Sequence, residues 1–266
     1  MEINPEGGNS NKLTIFQKFV EDLKNKATEE KLELNLAFHK IYQPDEINSH
    51  EFLKYAQNTE MPELYRLELR YIDELICNDI EDANRFFKNC FPIAVKYLFL
   101  SGGDWCDISA FHPGLQSLLS KVRSQIYLLQ FKIEPASLSL IIESSCKVKE
   151  LTFCFCEFGD ISLESFVLNP ELTYEIKNLN MFKSCQEKDT RFLNDEKLDV
   201  IIEQMSKTSL KDSLRHFALD EQDYEADEKL EIFEKFGFKL GVYLDDDLPS
   251  PGNARTHKEY LESLES

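Results

Sequence analysis

The feature that most constrains the fold is an eleven-residue pattern in residues 148–158, VKELTFCFCEF. Its fourth and sixth residues are two apart and so share one face of a strand, while the ninth and eleventh turn the chain back beneath that face. A segment this short cannot bury its own apolar side chains, and it therefore needs similar segments on both sides. Its apolar positions, from first to last, are Val148, Leu151, Phe153, Cys156 and Phe158.

Similar segments recur along the chain, and the residue at the fourth position marks each of them. Apolar residues at helical spacing, such as Leu198, Ile201 and Ile202, lie between nearly all successive markers. The sequence therefore predicts strands that alternate with helices. The markers are Leu34, Leu67, Leu98, Ile126, Leu151, Leu179, Phe217 and Leu240.

Three further helices are predicted from apolar stripes between the markers. Before the first of them we expect a loop with Gly102, Gly103 and Trp105, because paired glycines relax the turn after a strand. The fourth copy also fits a register one residue later, with Tyr127 and Leu129 facing inward. The stripes are Leu115, Leu118, Leu119 and Val122; Leu138, Ile141 and Ile142; and Leu163, Phe166 and Val167.

This alternation resembles the leucine-rich repeat proteins, specifically the ribonuclease-inhibitor-like class with a full helix in each unit. The resemblance extends over residues 29–247, as an irregular repeat array, and is strongest in residues 148–158 and 64–72. It implies an α/β fold, namely a right-handed solenoid with parallel strands on the concave face and helices on the convex face. Residues 1–28 then form a flexible tail and an N-terminal capping helix, and residues 248–266 a C-terminal loop and tail.

The sequence departs from the family at the ninth position, where leucine-rich repeats carry Asn or Cys. Only Cys156 fits this requirement. The uneven spacing of the markers also predicts uneven curvature, above all around residues 184–194. The other copies have Ile72, Gly103, Phe131, Ser184 and Gln222 at the ninth position.

The composition limits the partners and the compartment. Because the formal net charge is −19, a surface for nucleic acid or for an acidic membrane, which needs clustered Lys and Arg, is not expected. The first residues contain no secretory signal pattern, and no apolar stretch is long enough to cross a membrane. The odd number of cysteines, at mostly apolar positions, predicts reduced thiols and a cytoplasmic or nuclear protein. We expect a monomer.

No catalytic, cofactor or metal site is predicted. Cys154 and Cys156 form a C-x-C pair, but no histidine or second cysteine pair lies nearby in sequence, so packing is the simpler interpretation. The histidines show no metal-ligand spacing. Gly102 and Gly103 lack the Gly-Lys-Ser/Thr sequence that a phosphate loop requires. The chain is therefore expected not to be an enzyme and to bind no cofactor.

The expected interaction site is an aromatic patch. Strand alternation sends the residues between the inward positions to the concave surface, where the aromatic ones would lie side by side and open to solvent. Exposed aromatic clusters of this kind often mark interfaces. An alternative is that residues 102–110, with Trp105, fold over the patch and cover it. The candidate partner-binding residues are Tyr97, Phe99, Tyr127, Leu129 and Phe182.

These observations predict a non-enzymatic scaffold that binds a protein partner on its concave strand face. The family resemblance implies two alternatives, a small-GTPase activator that presents Arg66 or Arg70, and a substrate receptor of a ubiquitin ligase. A third alternative is an acidic protein that binds a basic one through its C-terminal part, since acidic residues outnumber basic ones in residues 187–266.

Overall fold

The structure, a computed structural model, describes residues 33–37, 64–73, 84, 88, 94–182, 195–219, 233–238 and 241–243. For residues 33–37, 104–105, 110–111, 182, 195, 218–219 and 241–243 it describes the backbone alone. The terminal segments 1–28 and 248–266 that the sequence predicts lie outside these ranges, as do Leu240, Ser184 and Gln222.

Within the described residues, nine strands form one sheet, and all the paired strands run in parallel. Eight of them follow the chain order across the sheet, and the short sixth strand pairs with the fourth. The predicted α/β class and parallel pairing are confirmed, and the sheet is not closed into a barrel. The strands are β1 (Glu33–Ala37), β2 (Leu64–Arg70), β3 (Val95–Asp107), β4 (Val122–Ile133), β5 (Glu150–Cys154), β6 (Glu157–Phe158), β7 (Asn178–Phe182), β8 (His216–Leu219) and β9 (Gly241–Tyr243).

The marker residues pair with one another across the whole sheet. All are the predicted ones except the last, where Val242 rather than Leu240 pairs with Phe217. This shift of two residues leaves the inward face unchanged, because side chains alternate along a strand with a period of two. The line of partners runs through Leu34, Leu67, Leu98, Ile126, Leu151, Leu179, Phe217 and Val242.

The helices pack against the inward strand residues, and together they form one apolar core. The predicted stripes of the first three described helices are buried, except that Val122 begins β4 instead of ending a helix. Pro135 opens the second helix, where its missing N–H costs no hydrogen bond. No helix in the described part of the chain is both long enough and apolar enough to span a membrane. The helices whose bounds lie within the described ranges are α1 (His112–Leu119), α2 (Pro135–Ser144), α3 (Asp195–Ser206) and α4 (Leu210–Ser213), and a 3₁₀ turn (Ile108–Phe111) precedes α1.

The register of β4 is the first of the two that the sequence allowed. Ile126 and Leu128 are fully buried, whereas Tyr127 and Leu129 are only half-buried. The later register is wrong because it would have placed Lys132 at an inward position, and a lysine there would lose its hydration.

The residues expected to form a loop after β3 lie in the strand itself, so that prediction is wrong. Gly102 and Gly103 serve close packing instead of a simple turn. A Cβ atom at Gly102 would lie 2.5 Å from the backbone oxygen of Gln130, and Gly103 has a φ of 82°, which other residues rarely adopt. Paired glycines can mean a turn or a close backbone approach, and the sequence pattern does not separate the two.

The extra residues of β3 also change which residue takes the ninth position. Ser101 pairs with Leu129 and Cys106 pairs with Phe131, with an irregularity of the ladder between the two pairs. Cys106, rather than the predicted Gly103, therefore lies opposite the ninth residue of the next copy. A cysteine thus occupies this position in two copies, not in one.

The predicted helix around Leu163 and Val167 is wrong, since residues 155–177 contain β6 and turns but no helix. Leu163 is 43% exposed and Val167 is 56% exposed. Ser162 and Ser165 each accept a hydrogen bond from the other's backbone N–H, at 3.2 Å and 2.8 Å, which stabilises a single turn. Serine side chains that bond to the local backbone compete in this way with continued helix formation.

Candidate interaction surface

The side of the sheet opposite the core is called the far face. Its residues alternate along each strand with the residues that face the core. Because the strands pair in register, these residues form rows that run across the sheet. The first row contains Arg66, Tyr97, Gln125, Glu150, Asn178 and His216, and the second contains Glu68, Phe99, Tyr127, Thr152 and Asn180.

Phe99 and Tyr127 stack on each other in the second row. Their ring centroids are 5.2 Å apart and their planes differ by 13°, which is a stacked pair. Both side chains are half-buried and keep part of their surface accessible. The guanidinium carbon of Arg70 lies 5.9 Å from the centre of the Phe99 ring, within the range of a cation–π contact. Two of the predicted patch residues therefore form one ordered aromatic pair with a cation beside it.

Tyr97 is buried, so the expectation that it would be open to solvent is wrong. It is 7% exposed, and its ring packs edge-on against Tyr65 with centroids 5.0 Å apart. The Nζ atom of Lys96 lies 5.2 Å from the Tyr97 ring centre and 5.4 Å from that of Tyr65. Burial raises the pKa of Tyr97. The prediction considered only strand alternation, whereas side chains of neighbouring strands also cover one another.

The other predicted patch residues do not join the stacked pair directly. Leu129 is half-buried and lies in a third row between Ser101 and Cys154, which are both buried. The backbone of Phe182 pairs with Cys154, but its side chain lies outside the described part, as does that of Trp105. Residues 102–107 belong to β3, and whether Trp105 covers the patch, as the alternative interpretation requires, depends on a side chain outside the described part.

Two arginines flank one carboxylate at the β2 end of the second row. Arg66 Nη2 lies 3.3 Å from Glu68 Oε2, and Arg70 forms an ion pair with Glu68 Oε1. The arginine side chains are 41% and 49% exposed, while that of Glu68 is almost fully buried. The carboxylate of Glu68 therefore holds two accessible guanidinium groups in fixed positions.

A buried polar network lies beside the aromatic pair. Glu150 Oε1 accepts hydrogen bonds from Gln125 Nε2 at 2.8 Å and from Asn180 Nδ2 at 3.2 Å. Asn180 Nδ2 also donates to Thr152 Oγ1 at 2.9 Å. All four side chains are buried. The network joins β4, β5 and β7 across the far face and fixes their relative positions.

The C-x-C pair is a packing feature in this structure. Cys156 is buried and unbridged, as the sequence predicted, and its thiol donates to the backbone oxygens of Leu128 and Cys154 at 3.7 Å and 3.5 Å. Burial raises the pKa of Cys156 to about 12. The neutral thiol is therefore the form present at neutral pH, and a neutral thiol is a poor nucleophile and metal ligand.

Among the described residues, His112 and Ser137 form a Ser–His contact. His112 Nε2 lies 2.7 Å from Ser137 Oγ, but Ser137 is fully buried, so a substrate cannot reach its hydroxyl. Within the residues that the structure describes, no group of three or more His, Cys, Asp or Glu side chains is placed to hold a metal ion.

Sequence reasoning found the aromatic pair but missed the contacts around it. The position of Arg70 beside Phe99 depends on the pairing of β2 with β3, and the Glu150 network depends on three strands being in register. One signal was available in the sequence, since Gln125 and Glu150 occupy the same far-face position in consecutive copies of the pattern, as do Thr152 and Asn180.

Comparison with known proteins assigns no function to this chain. No protein family, no curated protein and no solved structure matches it. Its function is therefore inferred from the geometry of the far face.

Proposed function

We propose that this protein is a non-enzymatic protein-interaction scaffold of the leucine-rich repeat type. In this proposal the sheet and helices form a right-handed solenoid, and the far face is its concave surface, on which the partner docks. The register of the marker residues from Leu34 to Val242 supports the repeat interpretation, because each strand places the same position of the pattern beside the same position of the next.

The observation that carries the proposal is the stacked pair of Phe99 and Tyr127. These are large side chains on the face away from the core, they are only half-buried, and they are held in one arrangement by their mutual contact. Rigid aromatic side chains lose little conformational entropy on binding and are enriched at protein interfaces. A partner that covered the pair would remove apolar surface from water, and the two rings would not have to be ordered on binding.

The surroundings of the pair favour binding over chemistry. Polar groups of Gln125, Glu150 and Asn180 are engaged with one another instead of converging on an open cleft. The cysteines of the described ranges are free thiols, which is compatible with a protein of the cytosol or nucleus. We therefore propose that the chain binds another protein in one of these compartments and that it catalyses no reaction.

A site-specific photo-crosslinking experiment tests this proposal. A photoreactive phenylalanine analogue replaces Tyr127 in one variant and Val167, an exposed residue outside the far face, in a matched control. We expect a protein to be captured from the native cell extract at position 127 and not at position 167. Excess unlabelled wild-type protein should compete with this capture, and excess Phe99→Ala protein should compete less. Equal capture at both positions, or no capture at 127, would contradict the proposal.

A further inference from the structure

We propose that the partner segment is acidic and that Arg70 pairs with one of its carboxylates. This inference rests on the proposed function, because it names the chemistry of the partner that contacts Phe99 and Tyr127. It assigns to Arg70 the role of a binding residue at the edge of the aromatic pair.

The geometry around Glu68 leaves hydrogen-bond donors available for a second carboxylate. A guanidinium group has five N–H donors, and Glu68 is close enough to engage only part of those on Arg66 and Arg70. Both arginine side chains are about half exposed, whereas Glu68 is buried. The buried carboxylate thus orients two planar groups whose remaining donors are accessible, and such forks suit carboxylate oxygens.

The charge of this corner is opposite to that of the chain. The formal net charge of the protein is −19. The ion-paired cluster at this corner, formed by Arg66, Glu68 and Arg70, has two positive charges against one carboxylate. An acidic segment is repelled by most of the protein and attracted at this corner, and such a pattern fixes where and in which orientation a partner docks.

Arg70, more than Arg66, is placed for this role. The register sets Glu33 of β1 beside Arg66 but Ala37 beside Arg70, so the neighbouring strand places an acidic residue only at Arg66. Arg70 also lies over Phe99, so a carboxylate bound to it would sit next to the aromatic pair. The partner segment should therefore combine an Asp or Glu with a nearby apolar side chain.

A carboxylate fits this corner better than a phosphate. Arg66, Arg70 and Glu68 together carry one net positive charge, which a carboxylate neutralises. A phosphoserine carries nearly two negative charges at neutral pH and would leave the corner with excess negative charge in an acidic protein.

Peptide selection followed by charge substitution tests the inference. A random twelve-residue peptide library is selected on the full-length protein, and only peptides that lose binding to Phe99→Ala are kept. We expect these peptides to be enriched in Asp and Glu. Affinities for synthetic copies are then measured with the wild type, with Arg70→Gln and with Arg215→Gln, which removes the same charge from an exposed arginine beside β8.

Arg70→Gln should weaken binding about fivefold or more, and added salt should weaken wild-type binding, because a charge pair is involved. Arg215→Gln should stay within about twofold. Arg70→Gln also leaves Glu68 with one partner fewer, so the double variant Glu68→Gln/Arg70→Gln is measured as well. The double variant has the same net charge at this corner as the wild type, but it lacks Arg70. Its affinity for the peptides should therefore remain low.

The outcomes separate this inference from the proposed function. Phe99-dependent peptides without acidic enrichment, or equal effects of Arg70→Gln and Arg215→Gln, would overturn the acidic assignment and leave the scaffold proposal intact. The same holds if synthetic copies with phosphoserine in place of the acidic residue bind more tightly than the selected peptides. If no peptide depends on Phe99, both proposals fall.

Discussion

His112 and Ser137 join the starts of two successive helices. His112 Nε2, at the first residue of α1, lies 2.7 Å from the hydroxyl oxygen of Ser137 in the first turn of α2. The pKa of His112 is lowered, mainly because burial disfavours the charged ring, although the nearby Asp107 carboxylate acts in the opposite direction. The histidine is therefore neutral at neutral pH. In a neutral imidazole one ring nitrogen donates and the other accepts, so Nε2 either donates a hydrogen bond to Ser137 or accepts one from it.

This contact predicts a loss of stability in mild acid. The unfolded chain takes up a proton at His112 near the usual pKa of about 6.5, whereas the folded chain takes it up at a lower pH. The unfolded state therefore binds more protons in this window, and the free energy of unfolding falls as the pH drops below about 6.5. The free energy of unfolding is measured with urea between pH 7.5 and 5, at steps of about 0.5. It should fall less steeply with decreasing pH in His112→Gln than in the wild type. An unchanged pH dependence would contradict the assignment.

Leu151 is the inward residue of the best-formed copy and is fully buried between two paired strands. Leu151→Ala should lower the free energy of unfolding by about 2–5 kcal/mol, because it removes apolar contact and leaves a cavity. Leu163→Ala is the matched control, since Leu163 is an exposed leucine, and should cost less than about 0.5–1 kcal/mol. Chemical denaturation measures both, and equal losses would mean that Leu151 is not a core residue.

Two glycine substitutions test the close approach of β3 to β4. A Cβ at Gly102 would lie 2.5 Å from a backbone oxygen, that of Gln130, whereas a Cβ at Gly159 would lie 2.3 Å from the end of the flexible Glu134 side chain. Gly102→Ala should cost about 1–3 kcal/mol because the strands must shift, and Gly159→Ala should cost clearly less because Glu134 can rotate away. Thermal melts show which of the two variants loses more stability. A larger loss in Gly159→Ala than in Gly102→Ala would refute the close packing of these strands.

Asn180 holds together the polar network of the far face. Asn180→Ala removes donors to Glu150 and Thr152, both buried, and should cost about 1–3 kcal/mol. Gln116→Ala, at an exposed position on α1, should change stability by less than about 0.5 kcal/mol. A double-mutant cycle with Gln125→Ala should show coupling, since both residues bond to the same carboxylate oxygen.

The sequence predicted what depends on local periodicity. The spacing of Leu151 and Phe153, repeated along the chain, predicted nearly every inward residue, and the resemblance to leucine-rich repeats implied the parallel pairing. Leu198 and Ile201 likewise lie on a real helical stripe. These features are recoverable because burial of one face leaves a regular trace in the order of apolar residues.

What the sequence did not predict depends on contacts between strands or on competing local bonds. Cys106 takes the ninth position only because β3 carries an irregularity, and no periodic signal marks it. Tyr97 is covered by Tyr65, which its own position in the pattern does not reveal. Around Leu163 three apolar residues have helical spacing, but Ser162 and Ser165 form a turn there instead.

The central claim is that the stacked pair of Phe99 and Tyr127 anchors a protein partner. Calorimetric titration of the partner captured at position 127 tests it most directly, with wild type, Phe99→Ala and the control Val167→Ala. We predict that Phe99→Ala loses about 1 kcal/mol or more of binding free energy while its melting temperature falls by less than about 4 °C, and that Val167→Ala binds like the wild type. Unchanged binding by Phe99→Ala, or an equal loss in Val167→Ala, would contradict the claim.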